Sequence, residues 1–294
     1  MQGFRFTSPL LDVEMPEGVA IGHEPIPFKY KVREFVQKQL DTRQVIKLGV
    51  YYRDLHDGPW FGINAKTPFN PASLMKLPIM IAWLKRAERD PRELARTFLY
   101  DGVKDLSEIQ SFSPELKLVS GRSYTVEQLL YHMMMYSDNN AMSMLFSKLG
   151  VVELDTVLNS MDINRNPNNP NDSITLHGYS GYFRILYNAS FLNREMSEKA
   201  LEILSLQDFP QGIIAGVPKG TIVASKFGEH GEDSQLHEFG IVYHRTHPYI
   251  LGIMTQGDDF GKQAEIIRDI SRMIYAEVDA GAYIGQDAGV EGPP

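Results

Sequence analysis

The sequence predicts a mixed α/β chain of the α+β type. About five strands form one sheet, and a long helical block is inserted between the second and third of them. Three observations carry this prediction. β-branched and aromatic runs occur at 45–53 and 60–64 and return only at 220–224, 239–243 and 249–255. The stretch between, 73–207, places its apolar side chains at helical spacing. A helical pattern also flanks the strands at each end. Strands split in sequence but alike in type suit a single sheet, so the two ends share one lobe (29–67 and 215–278) beside an all-helical lobe (68–214). A cleft forms where such lobes join, and clefts of this kind favour ligand sites.

Each element has its own signal. Residues 1–28 are punctuated by Pro and Gly and read as a surface arm. Val32, Phe35, Val36 and Leu40 predict a helix over 29–41. The turn Asp57-Gly58-Pro59 separates the first two strands. Within the helical block, Thr125 followed three residues later by Gln128, ahead of LLYHMMMY, reads as a capping box. Met133 to Met135 read as core. A last amphipathic helix covers 260–278, and the Gly-rich tail 279–294 is expected to be loose.

Composition removes several classes of function. With 29 Lys+Arg against 37 Asp+Glu the net charge is −8, which argues against a nucleic-acid binder. The longest apolar run, 77–84, is too short to span a bilayer. No cysteine is present, so thiolate catalysis, disulfides and zinc-thiolate sites are out. The first residues lack a basic start followed by a clean apolar stretch, so no signal segment is read there. His230, His237, His244 and His247 lack the spacing of a metal set and read as exposed loop residues, so no metal and no cofactor are expected.

Three short motifs at element edges can carry chemistry. Ser73 and Lys76 lie three apart at a helix start, where the ammonium reaches the hydroxyl. A lysine made less basic by burial can take the serine proton. The same pair also suits an N-cap and a solvated first-turn residue. Ser137-Asp138-Asn139 sits between two helices and suits an N-cap cluster. It equally suits a proton shuttle at Ser137, a brace at Asp138 and a partner for a substrate amide at Asn139. Lys226-Phe227-Gly228 closes a strand-like run. Lys226 is either an edge charge or an electrostatic aid to the nucleophile that also attracts an anionic substrate. With Lys76 it would make the cleft locally positive. Gly228 would let backbone approach a ligand, and the N–H groups of Ser73 and Glu229 could form an oxyanion hole.

Together these motifs resemble the penicillin-recognising serine enzymes, and most closely the class A β-lactamase-like family. The resemblance covers about 29–278. It extends to FNPASLMKLPIMIAWLKRA around Ser73, to SFSPELKLVSGRSYTVEQLLYHMMMYSDNNAMSMLFSKLG, and to VPKGTIVASKFGE. It implies an antiparallel sheet flanked by helices beside an all-helical lobe, the β-lactamase/transpeptidase-like fold. It also implies acyl transfer through a Ser73 ester, with Lys76, Ser137 and Lys226 as catalytic residues. Relatives act outside the cytoplasmic membrane, which implies an exported protein.

Four departures accompany the likeness. The stretch expected to carry a deacylating Glu, 161–175, is short and holds only Asp162 and Asp172 as carboxylates. The family's substrate-binding hydroxyl in K-T-G is replaced by Phe227. The Arg that reinforces the same substrate carboxylate is replaced by Phe239, with Arg245 further along. The segment 229–238 reads as a longer loop. Phe227 and Phe239 are therefore expected to line an apolar subsite and Phe112 an aromatic wall at the entrance, with core packing as the alternative. The expectation is a monomeric serine hydrolase acting on an amide, peptide or ester, including a peptidoglycan-like peptide, with poor β-lactam turnover. A genuine class A-type β-lactamase with another deacylation base, and a non-catalytic binding module, are the alternatives.

Overall fold

The computed structural model describes residues 5–8, 26–56, 58–107, 112, 116–161 and 173–281. The first helix, α1 (Lys29–Asp41), has the expected bounds and buries Val32 and Val36. Strands β1 (Lys47–Asp54) and β2 (Trp60–Ile63) follow. After a helical stretch come β5 (Val223–His230), β6 (Gln235–Val242) and β7 (Tyr249–Gln256), and α8 (Phe260–Asp279) closes the described fold. The five strands form one sheet in the order β2-β1-β7-β6-β5. Every pairing is antiparallel, and β1 lies directly on β7. The early and late strands thus join as the sequence pattern predicted.

Side-chain alternation along each strand explains why the sheet has two cores. Tyr51 points toward the helical side, where it packs with Phe239, Ile241 and Met254. Its neighbour Tyr52 points to the other face, with Phe28, Phe61 and Leu251, under α1 and α8. Edge-on and stacked rings fix this second layer, as in Phe28 against Tyr52 at 5.4 Å and Tyr52 on Phe61 at 5.3 Å.

The inserted segment holds α2 (Lys76–Arg89), α3 (Val126–Met135), α4 (Asn139–Leu149), α5 (Val151–Ser160), α6 (Leu176–Tyr187) and α7 (Arg194–Leu204). Helix α2 is apolar all round over 77–84 because the other helices surround it. Trp83 within it is fully buried and donates its indole N–H to the Leu145 carbonyl at 3.3 Å. The capping box at α3 is present: Gln128 N–H reaches Thr125 Oγ1 at 3.1 Å, and Thr125 N–H reaches Gln128 Oε1 at 2.9 Å. The segment also carries a two-stranded ribbon, β3 (Thr97–Tyr100) with β4 (Arg122–Thr125). These four-residue strands lie inside what reads from sequence as helix throughout. They are too short to show a period.

One expectation is corrected here. Residues 229–238 are not a long loop. They complete β5, turn at 231–234 with Ser234 at φ 47°, and begin β6. Charged and imidazole side chains masked the strand pattern, yet His237 and Glu238 are buried in it. His237 is held neutral: burial lowers its pKa to about 4. Nδ1 accepts the Thr255 N–H, which leaves Nε2 to donate to the Asn70 carbonyl at 2.9 Å. His244 is also buried, and its ring sits 3.3 Å from Asp279.

Of the arm, residues 5–8 dock on α7, where Phe6 and Thr7 donate their N–H groups to Glu198 at 2.8 and 2.9 Å. Phe28 is core rather than arm. Among the described residues, no helix is long and apolar enough to cross a membrane.

Candidate active site

Ser73 lies in a single 3-10 turn, Ala72–Met75, immediately before α2. Ser73 and Lys76 lie three residues apart across the junction of this turn with α2, a spacing that brings their side chains to one side. Lys76 Nζ is 2.8 Å from Ser73 Oγ. The turn is anchored from three sides. Asn70 Oδ1 accepts the Ala72 N–H at 2.9 Å, Gln235 Oε1 accepts the Asn70 N–H at 3.1 Å, and Tyr179 donates to the Leu74 carbonyl at 2.9 Å. Ala72 sits at φ 49°, a strained conformation for a residue with a Cβ. The β6 residues Gln235 and His237, read from sequence as loop, therefore hold the segment that leads into Ser73.

Lys76 is fully buried. Its Nζ meets four acceptors: Ser73 Oγ, Ser137 O at 2.5 Å, Ser137 Oγ at 3.0 Å and Asn139 Oδ1 at 2.8 Å. An ammonium has only three N–H groups. Burial lowers the amine pKa to about 7, against the opposing pull of Asp138 and Glu229. Near neutrality a large share of the amine is therefore unprotonated and able to accept the Ser73 proton.

The Ser137 turn is also strained, at φ 55°. Asp138 braces it as the N-cap of α4, accepting from Asn140 N at 2.7 Å and Ala141 N at 3.1 Å. Capping and positioning are the same contact here. Asn140, unremarked in the sequence, ties this turn outward. Its Nδ2 donates to Asp105 at 2.9 Å, and its Oδ1 accepts the Leu106 N–H at 2.8 Å.

Lys226 is no solvated edge charge. It is fully buried in mid-strand, and Nζ donates to the Phe227 carbonyl at 2.8 Å. Burial, and then Lys76, push its pKa well below the usual lysine range. The expectation of a positive cleft is thus weakened: both lysines are driven toward the neutral amine.

Gly228 also has a packing reason. A Cβ there would lie 3.1 Å from both Ser73 N and Leu74 N. The missing side chain lets β5 close on the nucleophile turn. Gly228→Ala is expected to force these backbones apart, costing about 1–3 kcal/mol of stability. It should also slow acylation of Ser73 about tenfold or more, because small displacements at the reacting group are costly. Denaturant melts and acylation rates check both.

The three phenylalanines are corrected. Phe227 is buried and stacks on Phe209 at 4.6 Å. Phe112 packs edge-on against Phe209, Phe227 and Phe260 at 5.2, 6.1 and 6.2 Å, so it belongs to the second core and not to an entrance wall. Phe239 is fully buried on the helical side, stacked on Phe183 at 5.5 Å. Strand alternation sends Phe227 and Phe239 into opposite cores. Arg245 lies exposed beyond the Val223–Val242 end of the hairpin, away from Gly228. Asp162 and Asp172 lie outside the described residues.

Two features escaped the sequence reading. Glu229, noted only for its N–H, uses Oε1 to accept the Phe112 N–H at 3.0 Å. Glu238 is buried, and burial raises its pKa to about 7. It accepts from Ile213 N at 2.7 Å and Ser225 Oγ at 2.8 Å, while Gln207 links it to the Phe227 N–H at 2.5 Å. This network steadies the edge strand that carries Lys226. Among the described residues, no three His, Asp or Glu side chains group as a metal site.

Comparison with known proteins bears on the family and the fold. The model of the "Beta-lactamase enzyme family" matches residues 31–278. The β-lactamase ROB-1 of Haemophilus influenzae is 32% identical over 114 residues, which is 39% of this chain and 35% of that protein. The aligned part thus spans about a third of that relative. Among solved structures, a class A β-lactamase from Mycobacterium abscessus superposes with TM-score 0.73 at 21% identity, over 84% of this chain and 99% of that one. PBP-A superposes with TM-score 0.72 at 20% identity, over 86% and 97%. A mutant of PBP-A, as its acyl-enzyme complex with penicillin G, gives 0.71 at 20% identity, over 86% of this chain and 97% of that one. With a family model spanning nearly all of the described fold, this chain belongs to the beta-lactamase enzyme family.

Proposed function

We propose that this chain is a serine acyl-transfer hydrolase that forms an ester on Ser73 from an amide, peptide or ester substrate and turns over β-lactams poorly. The observation that carries the reading is the buried Lys76 amine, 2.8 Å from Ser73 Oγ and with its pKa lowered to about 7. In this mechanism Ser73 Oγ attacks the carbonyl carbon while its proton passes to the neutral Lys76 amine. The N–H groups of Ser73 and Glu229 receive the oxyanion. As the tetrahedral adduct collapses, Lys76 returns the proton through the Ser137 hydroxyl to the leaving nitrogen or oxygen, and Ser73 keeps the acyl group. Asn139 holds Lys76 in place, and Lys226, donating to the Phe227 carbonyl, steadies β5 beside the reacting serine.

Release of the acyl group needs an activated water. The missing Glu in the 161–175 stretch makes that step slow. The match to ROB-1 favours a second reading, a genuine β-lactamase whose water is activated by another base. By analogy with relatives, we further propose an exported monomer, with 29–278 working as one two-lobed unit.

The test is to mix the protein with penicillin G, a neutral aryl ester or a fluorophosphonate, and weigh the intact chain. The reading expects an adduct on Ser73 that is absent in Ser73→Ala, and a penicillin adduct that outlasts many turnover times of an efficient β-lactamase. Rapid nitrocefin turnover would favour the second reading. Failure of all probes to label the wild type would support a binding module instead.

A further inference from the structure

A cavity of about 470 Å³ lies beside β2, lined by Trp60, Asn64, Ala65, Lys66, Thr67 and His177. That volume is within the range of small-molecule sites, roughly 300–1,000 Å³. Trp60 is on β2, one outer strand of the sheet, whereas Lys226 and Gly228 are on β5 at the opposite edge. The cavity is thus separate from the strand that closes on the nucleophile. Its walls are fixed. Asn64 adopts φ 53°, and its Nδ2 donates to the Leu48 carbonyl at 2.9 Å. The Asn64 carbonyl accepts the Thr67 N–H at 3.0 Å, and the Ala65 carbonyl accepts the His177 N–H at 3.2 Å. The turn is therefore tied to β1 on one side and to the start of α6 on the other. Two rings form one wall: half-buried Trp60 and exposed His177 lie 5.2 Å apart, and Tyr51 stacks on Trp60 at 5.7 Å. A fixed aromatic wall receives a flat ring with little ordering of its own.

The charge of the lining has one sign. The chain carries a net charge of −8, yet Lys66 lines this cavity and no acidic residue among the described ones does. Lys66 is exposed, and among the described residues its ammonium makes no hydrogen bond or ion pair. The turn carbonyls and the Asn64 amide already have partners inside the protein. The lining thus offers aromatic surface and one cation but few hydrogen bonds, which suits a flat ring with a single anionic group better than a ligand with many hydroxyls. We propose that this cavity binds an aromatic carboxylate, its ring against Trp60 and His177 and its carboxylate on Lys66 Nζ. The site is independent of acylation at Ser73.

The experiment titrates the full chain with phenylacetate, neutral phenylacetamide and saturated cyclohexylacetate, followed by NMR. The chain has two tryptophans, and Trp83 is fully buried in α2. The Trp60 indole resonance is expected to move with phenylacetate while that of Trp83 stays in place. Phenylacetate should bind about threefold or more tighter than either of the other two, from ring stacking and one exposed charge pair. Added salt should narrow its lead over the amide. Lys66→Gln, a change at an exposed residue, should bring phenylacetate and phenylacetamide together without lowering the melting temperature. Trp60→Leu should bring phenylacetate and cyclohexylacetate together. If Trp60→Leu does not fold, the wild-type order and Lys66→Gln still decide the matter. A Trp60 resonance that stays fixed up to the solubility limit of phenylacetate would overturn the inference. So would phenylacetate binding no tighter than the amide or the saturated acid, or a preference for the anion that survives in Lys66→Gln. Each of these results leaves Ser73 acylation untouched.

Discussion

Lys76→Met is expected to slow acylation of Ser73 by about two to four orders of magnitude, the usual worth of a positioned general base. Methionine fills the buried space of the lysine stem but cannot accept a proton. The protein should remain folded, because removing a desolvated amine offsets the hydrogen bonds lost at Ser137 and Asn139. The pH profile separates this role from mere packing. Burial lowers the folded-state pKa of Lys76 to about 7, and the unprotonated amine is the reactive form. Acylation by the wild type should therefore rise with pH up to about 7 and level off above it. The residual rate of Lys76→Met should show no step there. A wild-type rate that falls as pH rises through 7 would mean that the ammonium, and not the amine, is required.

Phe239→Ala is expected to cost about 3–5 kcal/mol of stability, the range for removing a fully buried aromatic ring. In a chain of this size that is a drop of ~6–20 °C in melting temperature. The ring stacks on Phe183 and lies 5.2 Å from Tyr179 and 6.0 Å from Tyr51. Its other side is closed by Gly252 on β7, where a Cβ would lie 1.9 Å from Phe239 Cε2. Glycine there is a packing requirement, and the ring cannot turn toward a substrate. Calorimetry on the variant measures the loss. A nearly unchanged melting temperature with altered substrate preference would restore the subsite that the fold argues against.

These two residues show where the sequence could be read and where it could not. The Ser73–Lys76 spacing is a local property, and a helical or 3-10 turn brings such residues together whatever surrounds them. Helix α1 was legible because Val32 and Val36 repeat with the helical period. The capping box at Thr125 was legible because its two contacts span only three residues. Phe239 was not, because which face of a strand is buried, and by what, depends on elements far away in the chain. The β5–β6 hairpin was missed for a related reason. Glu238 and His237 look like loop residues until Ile213, Ser225 and Asn70, brought in by other elements, satisfy them. Glu229 shows the same limit within the site: its N–H could be assigned from the motif, while the fate of its carboxylate depends on the loop residue Phe112.

The central claim is that Ser73 is acylated with Lys76 as its base. It is tested most directly by the mass of the intact chain at short times after mixing with an activated aryl ester, over a series of pH values. The account predicts a single adduct, located on Ser73, whose rate of formation rises to a plateau with a midpoint near pH 7. No adduct, an adduct on another residue, or a Ser73 adduct whose rate is indifferent to pH between 6 and 8 would contradict it.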